Sequence, residues 1–137
     1  MKLEGYLFFN GRAEEAIGFY QRALGAEVLM MMRMKDSPEP PPADCPPADD
    51  NHVMHACLKI GETQLMLSDG MAAGPTDFRG FSLSVSVKDE AEARRVFGAL
   101  AEGGEVRMPL GKTFFSPCFG MLVDRFGVSW MVIVPGM

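Results

Sequence analysis

Cysteine and histidine are scarce in this 137-residue chain, which contains three cysteines and two histidines. Cys45, Cys57 and Cys118 form no C-x-x-C pair, and three scattered thiols are too few for a disulfide framework. The sequence therefore predicts a protein of a reducing compartment, the cytoplasm.

Long apolar stretches and an excess of basic charge are also lacking. No apolar run approaches the ~18 residues that a membrane span requires, so no membrane partner is expected. Glu4 and Asn10 interrupt the N-terminal region in which a secretory signal needs a continuous apolar segment. With 18 acidic and 13 basic residues the formal net charge is −5, which argues against a nucleic acid or an anionic membrane surface as partner.

The rest of the composition is that of a soluble globular domain. Hydrophobic residues make up 47% and charged residues 23% of the chain, so extensive disorder is excluded. A chain of this length buries roughly 70% of its unfolded surface and needs no covalent staple to hold a core. We therefore expect one domain, or two small modules sharing one core.

The chain contains an internal repeat. When residues 13–28 are aligned with residues 91–106, an offset of 78, seven of the sixteen positions are identical. The turn glycines Gly61 and Gly127 align at an offset of 66, so the first half has twelve extra residues, expected in the proline-rich segment 36–50. Residues 1–70 and 78–137 are therefore predicted to be duplicated modules of a single domain.

The first half predicts one strand, one helix and three more strands. Asn10 is a fair N-cap and Gly25 a helix terminator, which together predict a helix at Arg12–Leu24. The strands of this half are expected at Leu3–Phe9, Val28–Met34, Val53–Ile60 and Gln64–Ser68.

The second half follows the same order. Asp89 and Glu92 have capping-box spacing and predict a helix that runs to about Glu102, before two glycines. Its strands are expected at Phe81–Val87, Glu105–Met108, Cys118–Asp124 and Val128–Val134. Two βαβββ modules of this kind predict an α+β fold with the helices on one side of the sheet.

Alternating side chains predict the two faces of the strands. In FSLSVSV the aromatic and aliphatic residues share one face of the strand and the serines share the other. In MHACLKI, His55 and Cys57 point to one face and Ala56 and Leu58 to the other. The aliphatic faces are expected under the helices. The opposite faces mix serine, histidine, cysteine, methionine and aromatic residues, which predicts the lining of a cup.

These paired modules resemble the vicinal oxygen chelate superfamily, which includes glyoxalase I, bleomycin-resistance proteins and extradiol dioxygenases. Over essentially the whole chain, YLFFNGRAEEAIGFY, MHACLKIGETQLMLSD and FGMLVDRFGVSWMV are similar to its PhnB-like subfamily, often labelled 3-demethylubiquinone-9 3-methyltransferase. The resemblance implies the glyoxalase/bleomycin resistance/dioxygenase fold, a cup-shaped mixed sheet with helices on its outer face. It also implies a homodimer.

In metal-dependent members of that superfamily, four cup-facing residues, usually histidine and glutamate, hold one divalent ion. The resemblance carries these positions to Tyr6, Met66, Ser82 and Met131. None of the four offers an imidazole or a carboxylate, so a glyoxalase-type metal site is expected to be absent. The sequence also lacks the glycine-rich strand–turn–helix of a nucleotide-type cofactor site, and no cofactor is predicted.

His52, His55 and Cys57 form H-x-x-H-x-C, the densest cluster of strong metal donors in the chain. On a strand, His55 and Cys57 share one face and His52 lies on the other, so tridentate binding would require a bend. The motif supports a soft-metal site or a nucleophilic Cys57 with a neighbouring base. We favour the structural interpretation, in which the motif supplies a polar cup position beside a small buried residue.

Four other features have a structural interpretation, and a fifth, Phe114, has a functional one. The methionines of residues 30–34 follow strand alternation and favour packing over copper binding, and Trp130 is assigned to the core. Asp124 is expected to serve a turn, whereas Phe114, in the loop 113–117, could cover a bound ligand. The prolines of Pro38–Pro47 favour a stiff hairpin connection over a PxxP ligand.

The leading functional prediction is a dimeric protein that binds a small organic molecule without a divalent metal. Its ligand is expected in a cup lined by Tyr6, Phe8, His55, Cys57, Met66, Ser68, Ser82, Ser84, Phe114 and Met131. The first alternative is a glyoxalase- or dioxygenase-like enzyme, either metal-dependent or using His55 as base or Cys57 as nucleophile. The second is an interaction module whose cup is filled by its own side chains.

Overall fold

The structure, a computed structural model, describes residues 1–38, 49–70 and 75–136. Cys45 and most of Pro38–Pro47 lie outside the described residues. The chain divides into two compact units, Met1–Thr76 and Asp77–Met137. The first unit contains β1 (Gly5–Phe8), α1 (Ala13–Leu24), β2 (Glu27–Arg33), β3 (Val53–Ile60) and β4 (Thr63–Ser68). The second contains β5 (Leu83–Ser86), α2 (Glu90–Ala101), β6 (Glu105–Gly111), β7 (Cys118–Val123) and β8 (Ser129–Val134).

Each unit has one four-stranded mixed sheet, and the two sheets share one strand order. The first is ordered β1-β4-β3-β2, with β1 parallel to β4 and the other neighbours antiparallel. The second repeats this arrangement as β5-β8-β7-β6, with β5 parallel to β8. The identical topology confirms the predicted pair of βαβββ modules and the α+β class.

The strand ends account for the small differences from the prediction. Leu3 is 98% exposed and Phe81 is 43% exposed, and both lie outside the sheets, so β1 and β5 are shorter than predicted. By contrast, β6 continues through Pro109 to Gly111. Because β6 is an edge strand, a residue without an N–H is tolerated there.

The helix-facing sides of the sheets form the cores of the two units. In the first sheet the apolar side chains on this side include Leu7, Ala56, Leu58, Leu65 and Leu67, each at most 6% exposed. In the second they include Cys118, Leu122, Trp130, Val132 and Val134, each at most 7% exposed. The predicted alternation of Ala56 and Leu58 with His55 and Cys57 is therefore confirmed, as is the place of Trp130 in the core.

Both helices bury one apolar stripe. The buried residues of α1, which packs on β3, are Ala13, Ala16, Ile17, Phe19, Tyr20 and Ala23. Those of α2, which packs on β7 and β8, are Ala93, Val96, Phe97 and Leu100. As predicted, α1 ends at Gly25, which has a left-handed backbone with φ 66°. Within the described residues, neither helix is long and apolar enough to cross a membrane.

The start of α1 differs from the prediction, because Asn10 is not its N-cap. Arg12 holds that position without a capping side chain, and Asn10 has a positive φ of 49°. One oxygen of the Asp69 carboxylate instead accepts hydrogen bonds from the amides of Gly11 (2.7 Å) and Ala13 (2.8 Å). The other oxygen accepts from the amide of Val53 at 2.8 Å. A buried carboxylate 56 residues along the chain from Ala13 therefore caps the helix.

The second helix follows the capping prediction more closely. The Asp89 carboxylate accepts a hydrogen bond from the amide of Glu92 at 2.9 Å. The Glu92 carboxylate accepts from the amide of Lys88 at 3.3 Å, whereas a standard capping box would use the amide of Asp89. The aspartate cap is thus confirmed, and the reciprocal contact lies one residue earlier.

A second buried carboxylate holds the turn between β7 and β8. One oxygen of Asp124 accepts from the amides of Phe126 (2.9 Å) and Val128 (3.1 Å), which confirms its predicted role in the turn. The other oxygen accepts from the indole Nε1 of Trp130 at 2.9 Å, a contact that the turn motif alone did not indicate. The carboxylate therefore also fixes a core side chain.

We expect Asp69→Asn to lower the free energy of unfolding by roughly 2–4 kcal/mol. An amide group cannot accept all three hydrogen bonds, and a buried N–H of Gly11, Ala13 or Val53 would lose its partner. Urea denaturation measures the change. The control is Asp77→Asn, whose exposed carboxylate pairs with Arg79 and should contribute little. Equal losses in the two variants would contradict the capping role.

Gly104 allows β6 to start against the end of β7, and we expect Gly104→Ala to destabilise the fold by about 1–3 kcal/mol or more. A Cβ at this position would overlap the carbonyl oxygen of Val123 and come within 2.8 Å and 2.9 Å of Asp124 backbone atoms. Gly98, inside α2, has open space around it, so Gly98→Ala should stabilise by roughly 0.5–1 kcal/mol. Thermal unfolding of both variants checks the opposite signs.

Candidate functional site

The side of the first sheet opposite α1, here called the first open face, has a different composition from the core. One row of directly opposite residues crosses all four strands and consists of Tyr6, Met66, Cys57 and Met30. Met30 is 40% exposed and the other three are half-buried. The row therefore joins a phenol, two thioethers and a thiol on an accessible surface.

Tyr6, His55 and Phe8 form an aromatic cluster on this face. The Tyr6 hydroxyl and the His55 Nδ1 are hydrogen-bonded at 2.8 Å, and the two rings are stacked with centroids 5.5 Å apart. The Tyr6 and Phe8 ring centroids are 5.0 Å apart. The hydrogen bond crosses β4, so it holds two side chains of non-adjacent strands in fixed orientations.

The H-x-x-H-x-C motif does not converge on one point. The Cys57 thiol donates to the Gln64 side-chain oxygen at 3.5 Å, whereas His55 is bonded to Tyr6. The ring of His52 lies near Gly11, at the start of α1. Within residues 1–38, 49–70 and 75–136, no group of three His, Cys, Asp or Glu side chains is placed to hold a metal ion.

Ser68, predicted to line the ligand site, has a structural partner. It is 2% exposed, and its hydroxyl accepts a hydrogen bond from the amide of Gly70 at 3.0 Å. Phe8, its neighbour across the strands, is 53% exposed and lies against Gly70. The hydroxyl of Ser68 therefore orders the chain after β4.

The second sheet has an equivalent open face. Its central row consists of Ser84, Met131, Met121 and Met108, in the same strand order as the row of the first sheet. The register therefore makes Ser84 the counterpart of Tyr6 and Met131 the counterpart of Met66. Ser82 lies just before β5 begins and is not the residue paired with Met131.

Phe114 lies at the tip of the predicted loop and is 92% exposed. The loop closes through the Thr113 hydroxyl, which accepts from the amide of Ser116 at 3.0 Å, and through the carbonyl of Ser116, which accepts from the amide of Thr113 at 2.9 Å. The neighbouring Phe115 packs edge-on against Phe119 at 5.0 Å. Phe115, not Phe114, therefore anchors the loop to the sheet.

The side chains at the family metal positions do not fit a glyoxalase-type divalent ion. Tyr6 and Met66 lie side by side on neighbouring strands of the first open face. Met131 and Ser84 lie side by side on the second. Phenol, hydroxyl and thioether groups are poor ligands for zinc, nickel, iron or manganese, which prefer imidazole, carboxylate or thiolate. If the register assigns this position to Ser84 and not to Ser82, the ligand on offer is still a hydroxyl.

Both helix N-termini are already capped by side chains. The Asp69 carboxylate bonds the amides at the start of α1, and Asp89 bonds that of Glu92 in α2. A phosphate or carboxylate of a nucleotide-type cofactor binds such amides when they are free. The described residues therefore do not fit that mode of cofactor binding.

Sequence reasoning missed the partners that only the register reveals. The Tyr6–His55 hydrogen bond joins residues 49 positions apart on different strands. The alignment of Met30, Cys57 and Met66 likewise depends on how three strands pair. Asp69 was also missed as a cap. Its position, directly after a predicted strand, was the one available signal.

Comparisons with known proteins agree on the family. Residues 1–133 match the family described as 3-demethylubiquinone-9 3-methyltransferase. Protein YjdN of Escherichia coli is 36% identical over 98% of this chain and 95% of its own length. Protein PA1353 of Pseudomonas aeruginosa is 46% identical, with a TM-score of 0.85 and 98% of both chains covered. A PhnB protein of Bacillus cereus is 32% identical, with a TM-score of 0.80 over 98% of this chain and 99% of its own.

More distant structures show the fold alone. The fosfomycin resistance protein FosX of Listeria monocytogenes has a TM-score of 0.70 at 9% identity, covering 100% of this chain and 94% of its own. A glyoxalase-related enzyme of Fulvimarina pelagi has a TM-score of 0.62 at 16% identity, covering 98% of this chain and 88% of its own. The fold agrees with the family model and with the relatives above 30% identity, and these show that the chain belongs to the PhnB-like, 3-demethylubiquinone-9 3-methyltransferase family.

Proposed function

We propose that this protein binds a small, partly aromatic organic molecule on the first open face, without a glyoxalase-type divalent metal. The observation that carries the proposal is the 2.8 Å hydrogen bond between Tyr6 and His55, beside the exposed ring of Phe8. Small-molecule sites combine an apolar lining with a few positioned polar groups. Phe8, Met66 and Met30 supply such a lining around this pair.

The Tyr6–His55 pair offers both a donor and an acceptor to a ligand. If the phenol donates to Nδ1, the neutral imidazole keeps its Nε2–H as a donor and the phenol oxygen keeps lone pairs as acceptors. The stacked rings add flat apolar surface beside these groups. We infer a ligand that combines a planar ring with one or two hydrogen-bonding groups.

The family description supports ring binding better than methyl transfer. It names a demethylated ubiquinone, a ring compound that suits the aromatic part of the face. Methyl transfer would need a methyl-donor cofactor, and the start of α1 is closed by Asp69. We therefore propose binding of a ring compound and derive no methyl-transfer step.

We expect Met66→Trp to weaken binding of an apolar dye, 8-anilinonaphthalene-1-sulfonate, by about tenfold or more, a loss of about 1.4 kcal/mol in binding free energy, because the indole would occupy the surface on which the dye lies. The added ring would fill the surface between Tyr6 and Cys57. Fluorescence titration measures the dissociation constant. The matched control is Met31→Trp, since Met31 pairs with Ala56 and belongs to the other face of β2. Unchanged dye affinity in Met66→Trp would contradict the assignment of the site.

A second candidate function is a metal-free enzyme in which His55 acts as a general base. Its support is the same hydrogen bond, because a catalytic base is oriented by a third group. A nucleophilic role for Cys57 has less support, since its thiol is bonded to Gln64. Within the described contacts the nucleophile and the base are therefore not paired.

Alkylation of Cys57 by iodoacetamide separates the two functions. The binding proposal predicts the same dependence of the alkylation rate on pH in the unsubstituted protein and in His55→Ala, because the thiol is bonded to Gln64. If the rise in alkylation rate occurs at higher pH in His55→Ala than in the unsubstituted protein, the imidazole activates the thiol, and the enzyme is favoured. Peptide mass spectrometry reports the labelling of each cysteine separately.

A further inference from the structure

Three sulfur atoms belong to one row of the first sheet. Met30 on β2 lies directly opposite Cys57 on β3, and Cys57 lies directly opposite Met66 on β4. Directly opposite residues of antiparallel strands have Cβ atoms about 5 Å apart and point to the same side. The sulfur atoms of Met30, Cys57 and Met66, here called the sulfur row, can therefore converge above β3.

The same positions carry sulfur in the second sheet. Met108, Met121 and Met131 are paired across β6, β7 and β8 as the sulfur row is paired across the first sheet. The adjacent row on the helix side is aliphatic in the first sheet, with Val28 opposite Leu58 and Leu58 opposite Leu65. Three equivalent positions of both sheets therefore carry sulfur-containing side chains.

Core packing does not explain the row. Within the described residues, no methionine belongs to the buried core, although methionine is a common core residue. Met30 is 40% exposed and Met108 is 44% exposed. The packing interpretation given to residues 30–34 therefore leaves Met30 without an explanation.

We propose that Met30, Cys57 and Met66 form a binding site for a soft monovalent cation, Cu(I). Thiolate and thioether ligands select this ion over the harder divalent metals. On binding, the Cys57 thiol releases its proton to solvent and its hydrogen bond to Gln64 is broken. One thiolate and two thioethers then hold the cation in a complex of zero net charge, and no group changes its oxidation state.

The Cu(I) site is proposed for the first sheet and not for the second, because only the first row contains a thiol. The row of the second sheet offers three thioethers and no thiolate, so a bound cation there would keep its positive charge. Next to the sulfur row, the Nδ1 of His55 is hydrogen-bonded to Tyr6, so this nitrogen is not available to the cation. This site is separate in chemistry from the binding of an organic ring, although Met66 contributes to both.

The experiment is an anaerobic competition for Cu(I) between the protein and bicinchoninate, carried out in a Cys45→Ser background so that this thiol does not contribute. Met30→Leu/Met66→Leu should weaken Cu(I) binding by at least roughly tenfold, the lower end of what even outer ligand partners contribute. Leucine conserves volume, so the fold is retained, and circular dichroism checks this. Cys57→Ser should lose the site.

Matched controls complete the test. Met108→Leu/Met121→Leu makes the same change in the second sheet, and Cys118→Ala removes a thiol that is only 3% exposed. Both should bind Cu(I) as tightly as the background protein. If Met30→Leu/Met66→Leu also binds as tightly, Cys57 acts as an ordinary thiol and the proposal is wrong.

Discussion

The pairing register of the two sheets sets the character of each face, because a shift of one residue would move every side chain of a strand to the opposite side. In β2 a bulge between Val28 and Met30 makes this change locally. Val28 stays opposite Leu58 on the helix side, whereas Met30 comes to lie opposite Cys57 on the open face. The corresponding irregularity in β6 lies between Val106 and Met108, so both modules turn a methionine outward at the same place.

Two buried carboxylates hold these sheets in register with the rest of each unit. Asp69 connects the end of β4 to the start of α1 and to the first residue of β3. Asp124 connects the end of β7 to the turn and to Trp130 on β8. Each carboxylate accepts three hydrogen bonds, and a buried charge is tolerated only when it is satisfied in this way. The polar side chains of the core therefore serve architecture and leave the open faces to interact with other molecules.

Much of this fold follows from local patterns in the sequence. The alternation in MHACLKI and the cap at Asp89 each depend on residues close in sequence, and the repeat is visible when the two halves are aligned; the structure confirms the alternation, the cap and the shared order of elements. The cap of α1 could not be predicted in this way, because Asp69 reaches it from the end of a later strand. The Tyr6–His55 bond and the sulfur row depend on which strands are neighbours, and the row depends also on the bulge after Val28. Strand alternation alone would place Val28 and Met30 on the same face.

The positions that hold a divalent metal in metal-dependent glyoxalase-like proteins carry phenol, hydroxyl and thioether groups in this chain, which supports the metal-free part of the proposed function. Native mass spectrometry of untagged protein, purified without chelators or added metal, tests it most directly because it reports bound metal, bound small molecules and the number of subunits together. We predict a chain that carries a small organic molecule and no divalent ion. One zinc, nickel, iron or manganese ion per chain would contradict the account and would favour a glyoxalase-like, metal-dependent enzyme.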